Sequence, residues 1–599
     1  MPYLRYVNSD KEVYFEKGKT LLSALLDDGQ HMDTPCNGKG KCGKCRVKIV
    51  EGVLPEPTEA ELKLLSKEDL ANGIRLACMV WPEGDITVEH GGNKDVAVLD
   101  DGFMPDFENA IQVSKKVVTL ERASIHTQEP YEHALRRIFE QPKDWYIDRT
   151  FPYIEGTATG VLHNGKLIGI EKGDTSNRIY GAAIDIGTTT VAISVVDMLS
   201  GKILANASAL NAQKKYGADV LTRISHEMDN GQEGIDQLQV AIVDSLNGLI
   251  ADAAKKANVP VEEIYEIAIA ANSTMMHLLL GVDGRPIGTA PYAPMFVESR
   301  TMPAKNIGLK GAPGAMLYCL PSVSSFIGAD ITAGAYVCDL IHSTEKVMFI
   351  DIGTNGEIVL SNKGALNCCS CAAGPALEGM NISSGMQAAK GAIEDFEIVG
   401  DKITYKTIGN EPAQGICGSG VLAILSELLR VGAVQKGGAL VKLEKLAEDD
   451  PRRGFIRNTP EGKREVFIKT PEGKEILVSQ GDVRQIQLAK GAILSGFTAL
   501  LNNAGLDITE LDKVVIAGQF GSHLRPEHLI GCGIIPPEAN GKVHYVGNSS
   551  KSGAYMALMS GKCKDDMLEL SKHMNYIELS AVNDYQGLFS SCLQFNWTL

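Results

Sequence analysis

No stretch of this 599-residue chain approaches the roughly 18 consecutive apolar residues that a membrane-crossing helix needs. The opening, MPYLRYVNSDKEVYFEKGKT, lacks the apolar core of an export signal, so the expectation is a cytoplasmic protein with no membrane partner. Basic charge is in deficit: 58 Lys and Arg stand against 74 Asp and Glu, a net charge of −16. Gripping nucleic acid phosphates calls for a basic face, so nucleic acid is not expected as a main partner. Low-complexity tracts are missing. So is any late cysteine-dense run, since only Cys563 and Cys592 follow Gly561, which excludes a C-terminal cubane-cluster motif. Glycine, in contrast, is plentiful at 62 residues, and it marks tight turns or places where backbone approaches a ligand.

Thirteen cysteines in a chain that is not exported are expected as thiols or metal ligands, not disulfides. Four of them, Cys36, Cys42, Cys45 and Cys78, stand as C-x5-C-x2-C…C. Thiolates are the ligands of iron–sulfur clusters, and a [2Fe-2S] cluster takes four. Gly38, Gly40 and Gly43 let three sulfurs converge from one loop, while the fourth comes from a distant strand. Zinc prefers two C-x2-C pairs, and one is present. The spacing is one residue longer than the plant-type loop and resembles adrenodoxin-like ferredoxins. Around it, residues 1–90 read as strand, strand, helix (Thr20 as N-cap), loop, strand, helix, strand, an order compatible with a β-grasp domain. Lys39, Lys41, Lys44, Arg46 and Lys48 surround the loop. They are either a solvated rim or a docking collar for an acidic electron donor.

Residues 91–112 lack periodicity and read as a linker, and 113–178 as a small middle domain. From 179 to 599, strands such as YGAAIDIG and VMFIDIG alternate with long helical patterns, the mark of α/β layers in two related halves. Each half opens on the same turn. The first is Asp185, Gly187, Thr188, Thr189, Thr190; the second is Asp351, Gly353, Thr354, Asn355, Gly356, Glu357. Such turns offer N–H groups and hydroxyls to phosphate, and an aspartate at the strand end is placed to hold Mg²⁺. Asp185, Asp351 and Glu357 are the candidate catalytic groups by position. Gly374 in CAAGPALEG is expected in a loop of the same cleft. GICGSGVLAILSELL is either a further pocket wall or a packing turn. Cys368, Cys369 and Cys371 are expected as buried thiols, and His277 as a satisfied helix residue.

The paired turns resemble the ASKHA fold of actin, sugar and acetate kinases and Hsp70, which implies an ATP cleft between two halves. In that fold a third segment holds the adenosine, and VVIAGQFGSHL, with Gly518, Gln519 and Gly521, looks like it. A [2Fe-2S] domain followed by DIGTTT, DIGTNGE, CAAGPA and AGQFG closely resembles the reductive activators of corrinoid proteins over nearly the whole chain. The resemblance implies an ATP-hydrolysing corrinoid protein reductase from anaerobic methyltransferase systems. It would pass one electron to an inactive Co(II) cobamide on a methyl-carrier corrinoid protein, giving Co(I). It further implies a homodimer formed through the C-terminal domain. The basic collar suits a ferredoxin or flavodoxin donor. Ser370, Ser383 and Ser384, after the second phosphate turn, are candidates for a side chain that reaches cobalt to alter its ligation. Alternatives are an ATP-gated donor of the 2-hydroxyacyl-CoA dehydratase activator type, or an Hsp70-like reactivase with a redox-sensing cluster.

Overall fold

Between Tyr3 and Glu89, five strands form one mixed sheet in the order Ser9–Tyr14, Tyr3–Tyr6, Ile86–Glu89, Arg46–Gly52, Ile74–Leu76. The computed structural model describes residues 2–595 apart from 8, 29, 31, 33, 35, 37, 90–101, 127, 461 and 519–523. Leu4, Val47, Ile49, Ile86 and Val88 face inward and meet the helix Leu21–Asp27, whose Leu21, Leu22 and Leu25 are buried. Thr20 starts that helix, its hydroxyl accepting from the Ser23 N–H at 3.1 Å. This is the β-grasp arrangement.

Two larger sheets follow, and both place their strands in one order. In the first, Lys202–Leu210, Thr190–Asp197 and Tyr180–Ile186 are antiparallel neighbours, and Ile264–Ala271 then Met316–Cys319 continue in parallel. In the second, Ala365–Cys371, Gly356–Asn362 and Lys346–Ile352 are antiparallel, and Lys513–Ala517 then Val543–Gly547 continue in parallel. The strands Tyr180–Ile186 and Lys346–Ile352 therefore hold equivalent central positions. Both are buried on both faces, which explains their near-continuous apolar sequence. The C-terminal helix Ser549–Met559 crosses back onto the first sheet and the helix Ala329–Val337. There a Cβ at Gly553 would lie 2.5 Å from that of Ala333, so only glycine permits the approach.

Between the β-grasp unit and these halves in sequence comes a three-stranded sheet, Val113–Leu120, Gly156–His163 and Lys166–Lys172, with the helix Tyr131–Ile138. Leu135, Phe139 and Trp145 form its core, and Phe139 packs over Gly160 where no side chain fits. Of the expected linker, 91–101 lies outside the described residues. The rest, 102–112, is not loose: Phe103 N–H donates to Val546 O at 2.8 Å, and Ala110 N–H to Met559 O at 3.0 Å. Its backbone is anchored along the C-terminal half.

One ion pair fastens the cluster loop's surroundings. Arg75 Nε and Nη2 donate to Glu61 Oε1 and Oε2 at 2.8 and 2.9 Å, with both side chains buried. Glu61 also accepts from the Thr58 and Leu76 N–H groups. Burial would push its carboxyl up, but Arg75 and these N–H groups more than offset that, and its pKa lies below the usual value. Such a group stabilises the fold above its unfolded-state pKa of about 4.3, and the contribution fades as pH falls through the lower folded value. Removing one partner of a buried pair costs about 3–5 kcal/mol. Arg75→Met should therefore lower the thermal midpoint of the N-terminal unit and release its cluster faster, as followed by visible absorbance. The wild type should show the same loss only below about pH 4.

Candidate functional site

The two equivalent central strands end on either side of one cleft, a cavity of about 360 Å³ lined by both turns. The first turn closes on itself through Gly187 N–H to Thr190 O, 2.9 Å. Three side chains hold it from outside. Asn211 Nδ2 donates to Gly187 O at 2.9 Å, Arg223 Nη2 to Thr188 O at 2.6 Å, and Asn272 Nδ2 to Thr188 Oγ1 at 3.0 Å. Arg223 is fully buried, so its hold on Thr188 is protected from water. The second turn repeats the closure, Gly353 N–H to Asn355 O at 2.9 Å. Its Thr354 hydroxyl donates to Glu378 Oε1 at 3.2 Å.

Besides Glu394, five carboxyl groups line this cavity: Asp185, Asp330, Asp351, Glu357 and Glu378. Burial raises the pKa of each. For Asp330 the Asp351 and Asp185 charges add to it and push the group to about 8. Asp351 is pushed to about 7 by burial, Asp185 and Glu378. Asp185 is steadied by Ser550 Oγ at 2.7 Å and Asn548 Nδ2 at 2.9 Å. Acids crowded this way, with donors facing some and like charge facing others, fit a cation that restores the charged forms. Among the described residues no three His, Cys, Asp or Glu converge on one point. Mg²⁺ is commonly held by one or two carboxylates with phosphate oxygens and water.

The four predicted thiols form two pairs. Cys42 Sγ lies 3.2 Å from Cys36 Sγ, and Cys45 Sγ 3.2 Å from Cys78 Sγ. Two pairs instead of one convergent set fit two irons taking two thiolates each better than a single zinc. Gly38, Gly40 and Gly43 all have positive φ (74°, 64° and 67°), as the loop requires. The loop's N–H groups serve the sulfurs. Burial works against the Cys36 thiolate, but the Lys41, Cys42 and Lys39 N–H groups lower its pKa overall. Cys78 is brought down to about 7 by the Cys45 thiol and the Gly40 N–H. Hydrogen bonds of this kind tune a cluster's potential.

Asp185, Gly187, Thr188, Thr189, Thr190, Asp351, Gly353, Thr354, Asn355, Glu357 and Gly518 all line the cleft. Gly518 has φ 103° and would strike Ile352 O at 2.6 Å if it bore a Cβ. Gln519 and Gly521 lie outside the described residues. Gly356 does not line the cavity; its bareness admits Ile493 from the helix Gln480–Ala504. Gly374 (φ 76°) likewise starts the turn that delivers Glu378 instead of touching the cavity itself. Cys417, Gly418 and Ser419 do line it, so the GICGSG turn is a pocket wall as well as a helix start. Asn272, Asp330, Glu378, Asn548 and Ser550 escaped sequence reading. Only Asp330, a lone acid in an apolar helix start, left a signal. His277 is satisfied, with Nδ1 2.7 Å from Ser273 O, and Cys368, Cys369 and Cys371 are buried. The Ser370 hydroxyl donates to Glu357 Oε1 at 3.4 Å.

The basic rim divides. Lys39 and Lys41 are exposed, Arg46 pairs with Asp69, and Lys48 with Glu89. Lys44 is not part of a free collar: its Nζ donates to Ile382 O and Ser383 O, both at 2.7 Å, in the second α/β half.

Comparison with known proteins agrees with this layout. Residues 6–83 match the 2Fe-2S iron-sulfur cluster binding domain, 180–343 the middle region of RACo, and 345–598 the C-terminal ASKHA domain of RACo. The corrinoid activation enzyme RamQ of Eubacterium limosum is 30% identical over 96% of this chain and 98% of its own. A Co(II) methylated amine-specific corrinoid protein reductase of Methanosarcina barkeri is 24% identical over 70% of this chain and 77% of its own. The solved structure of a reductive activator for corrinoid, iron-sulfur protein superposes with a TM-score of 0.71 at 31% identity, covering 99% of this chain and 98% of that one. The chain belongs to the family of reductive activators of corrinoid proteins, with an N-terminal [2Fe-2S] domain and an ASKHA ATPase fold. No helix among the described residues is long and apolar enough to cross a membrane.

Loss of a buried hydrogen bond from a charged donor costs about 1.5–3 kcal/mol, or ten- to a hundredfold in affinity. Arg223→Met should thus weaken Mg-AMPPNP binding by at least tenfold in calorimetry while leaving the cluster absorbance intact. Asn272→Ala should cost less, about fivefold, because a neutral bond is lost.

Proposed function

We propose that this chain uses ATP to drive one-electron reduction of an inactive Co(II) cobamide, carried by a partner corrinoid protein, to Co(I). The single observation that carries the reading is one chain holding two thiol pairs of [2Fe-2S] type and a carboxylate-lined cleft between paired phosphate turns. When bound, the cluster supplies the low-potential electron. Plant-type clusters sit near about −400 mV, and a Co(II)/Co(I) couple lying lower costs a factor of ten per ~59 mV. Nucleotide binding and hydrolysis make up that difference by changing the docked complex.

In this reading residues 179–599 work as one ATPase. The Thr188–Thr190 and Thr354–Asn355 turns bind the phosphates, with Gly518 on the nucleoside side. Asp185 and Asp351 hold Mg²⁺ from opposite halves. Glu357, steadied by the Ser370 hydroxyl, takes the proton of the attacking water. A ferredoxin or flavodoxin brings the electron, meeting the exposed Lys39 and Lys41. The protein works in the cytoplasm as a homodimer.

The test is an anaerobic spectrum of a Co(II) corrinoid methyl-carrier protein with this chain and a strong reductant, with and without Mg-ATP. Co(I) absorption that grows only with both chain and Mg-ATP is the expected result. No Co(I) from protein with an intact, reducible cluster would overturn the reading. EDTA should abolish the ATP effect. Asp351→Asn should slow hydrolysis by about 10² or more, the usual cost of removing a group that stabilises transferring charge. At low salt, the double change Lys39→Glu with Lys41→Glu should slow reduction of the cluster by an acidic donor by about tenfold, and the difference should vanish at high salt.

A further inference from the structure

We propose that residues 375–388 couple the nucleotide to the iron–sulfur module: Glu378 occupies the place of a terminal phosphate, and Lys44 latches the cluster loop to the same segment until nucleotide displaces Glu378. The proposal rests on the reading that the cleft takes Mg-ATP.

Glu378 has the surroundings of a bound phosphate. It accepts from the Thr354 hydroxyl of the second turn at 3.2 Å. Burial raises its pKa overall, and the Thr189 hydroxyl and the Lys214 ammonium, both from the first half, face the same carboxylate and offset part of that rise. A Cβ on Gly353 would sit 3.5 Å from its Oε1, so the carboxylate lies directly on the second turn. These donors are the ones the paired turns offer to a phosphate. A carboxylate and a phosphate group in that place repel one another, and Asp351 already feels the Glu378 charge. The incoming group, arriving with Mg²⁺, takes the donors, and Glu378 must leave.

The segment behind Glu378 is built to pass that displacement on. Gly374 and Gly379, at φ 76° and 78°, bracket its turn. Met380, Gln387 and Ala388 line the same cavity further along. Between them, Ile382 O and Ser383 O accept from Lys44 Nζ, each at 2.7 Å. Lys44 stands between Cys42 and Cys45, so its bond fixes the cluster loop itself against the ATPase. The far side of the segment is anchored: Ser383 N–H donates to Asp482 Oδ1 at 2.9 Å, and Ser384 Oγ accepts from Leu477 N–H at 2.8 Å. With Ser383 N–H held at Asp482, a shift at 375–380 pivots the planar 382–383 peptide about that anchor and draws its carbonyl off Lys44. The cluster loop is then freed to face another protein.

The readout is Lys44 itself. Full-length protein carrying its cluster is labelled briefly with an amine-acetylating reagent, with and without Mg-AMPPNP, and each lysine is read by mass spectrometry. The exposed Lys39 and Lys41 serve as internal references. Mg-AMPPNP should speed Lys44 labelling about tenfold relative to them, the change expected when a charge-assisted bond pair is given up. Glu378→Ala should label fast at Lys44 without nucleotide and gain less than twofold on adding it. Calorimetry on the same samples separates the two claims. Nucleotide that binds without altering Lys44 labelling overturns the coupling alone. Nucleotide that does not bind overturns the ATP reading and the coupling together. Should Glu378→Ala lose its cluster, the wild-type comparison decides by itself.

Discussion

Like charge at the meeting line of the two α/β halves is the constraint on which the rest of the structure depends. Asp185 and Asp351 arrive there because they end equivalent strands of two sheets with one strand order. Asp330, Glu357 and Glu378 join them in a buried space. Carboxyl groups in such a place either stay protonated, find donors, or wait for a cation. The first two remedies are visible. Asp330 and Asp351 are pushed to about 8 and 7, Asp185 takes Asn548 and Ser550, and Glu378 takes Thr354. The tension is relieved fully only when positive charge enters. For that reason the cleft is poised to respond to Mg-nucleotide and not merely to contain it.

Holding that tension requires a stiff frame, and the frame is made by close backbone approach. The helix Ser549–Met559 belongs to the C-terminal half in sequence but packs on the first half's sheet, and Gly553 lets it settle on Ala333. The same helix start carries Ser550, and Asn548 caps it, so the element that joins the halves also feeds donors to Asp185. Gly356 and Gly496 play the matching part in the second half. Gly356 admits Ile493, and Gly496 meets Cys371 and Ile358 where a Cβ would lie 2.7 and 3.2 Å away.

Features carried by contiguous residues were legible in the sequence. The four cysteines announced their loop, and the repeated Asp-x-Gly-Thr turns announced the two halves. What stayed hidden is what the fold assembles from afar. Asn272 and Arg223 brace the first turn from separate helices, and nothing in their local sequence sets them apart from ordinary helix residues. By their company in the motifs, Gly356 reads as part of a phosphate turn and Gly374 as part of a cleft loop. Their bareness instead serves packing and a left-handed turn. Lys44 was the most instructive miss. Five basic residues around an exposed loop look alike in sequence, yet one of them reaches across to carbonyls more than three hundred positions away.

That reach matters for the logic of the whole chain. A low-potential cluster left free to meet solvent and any acceptor would discharge without regard to nucleotide. Tethering it by an exposed ion pair would add little, since such pairs are worth at most about 1 kcal/mol and fade with salt. Lys44 is joined instead to two backbone carbonyls, which carry no net charge to be screened and belong to a segment anchored at Asp482 and Ser479. The strength of the hold therefore depends on where those carbonyls point, and that is a property of the polypeptide path between Glu378 and Ser384. The nearest part of that path that senses nucleotide charge is Glu378. In this chain the acid that crowds the cleft and the carbonyls that hold the cluster loop's lysine lie at two ends of one short segment, so relief of charge at one end is felt as geometry at the other.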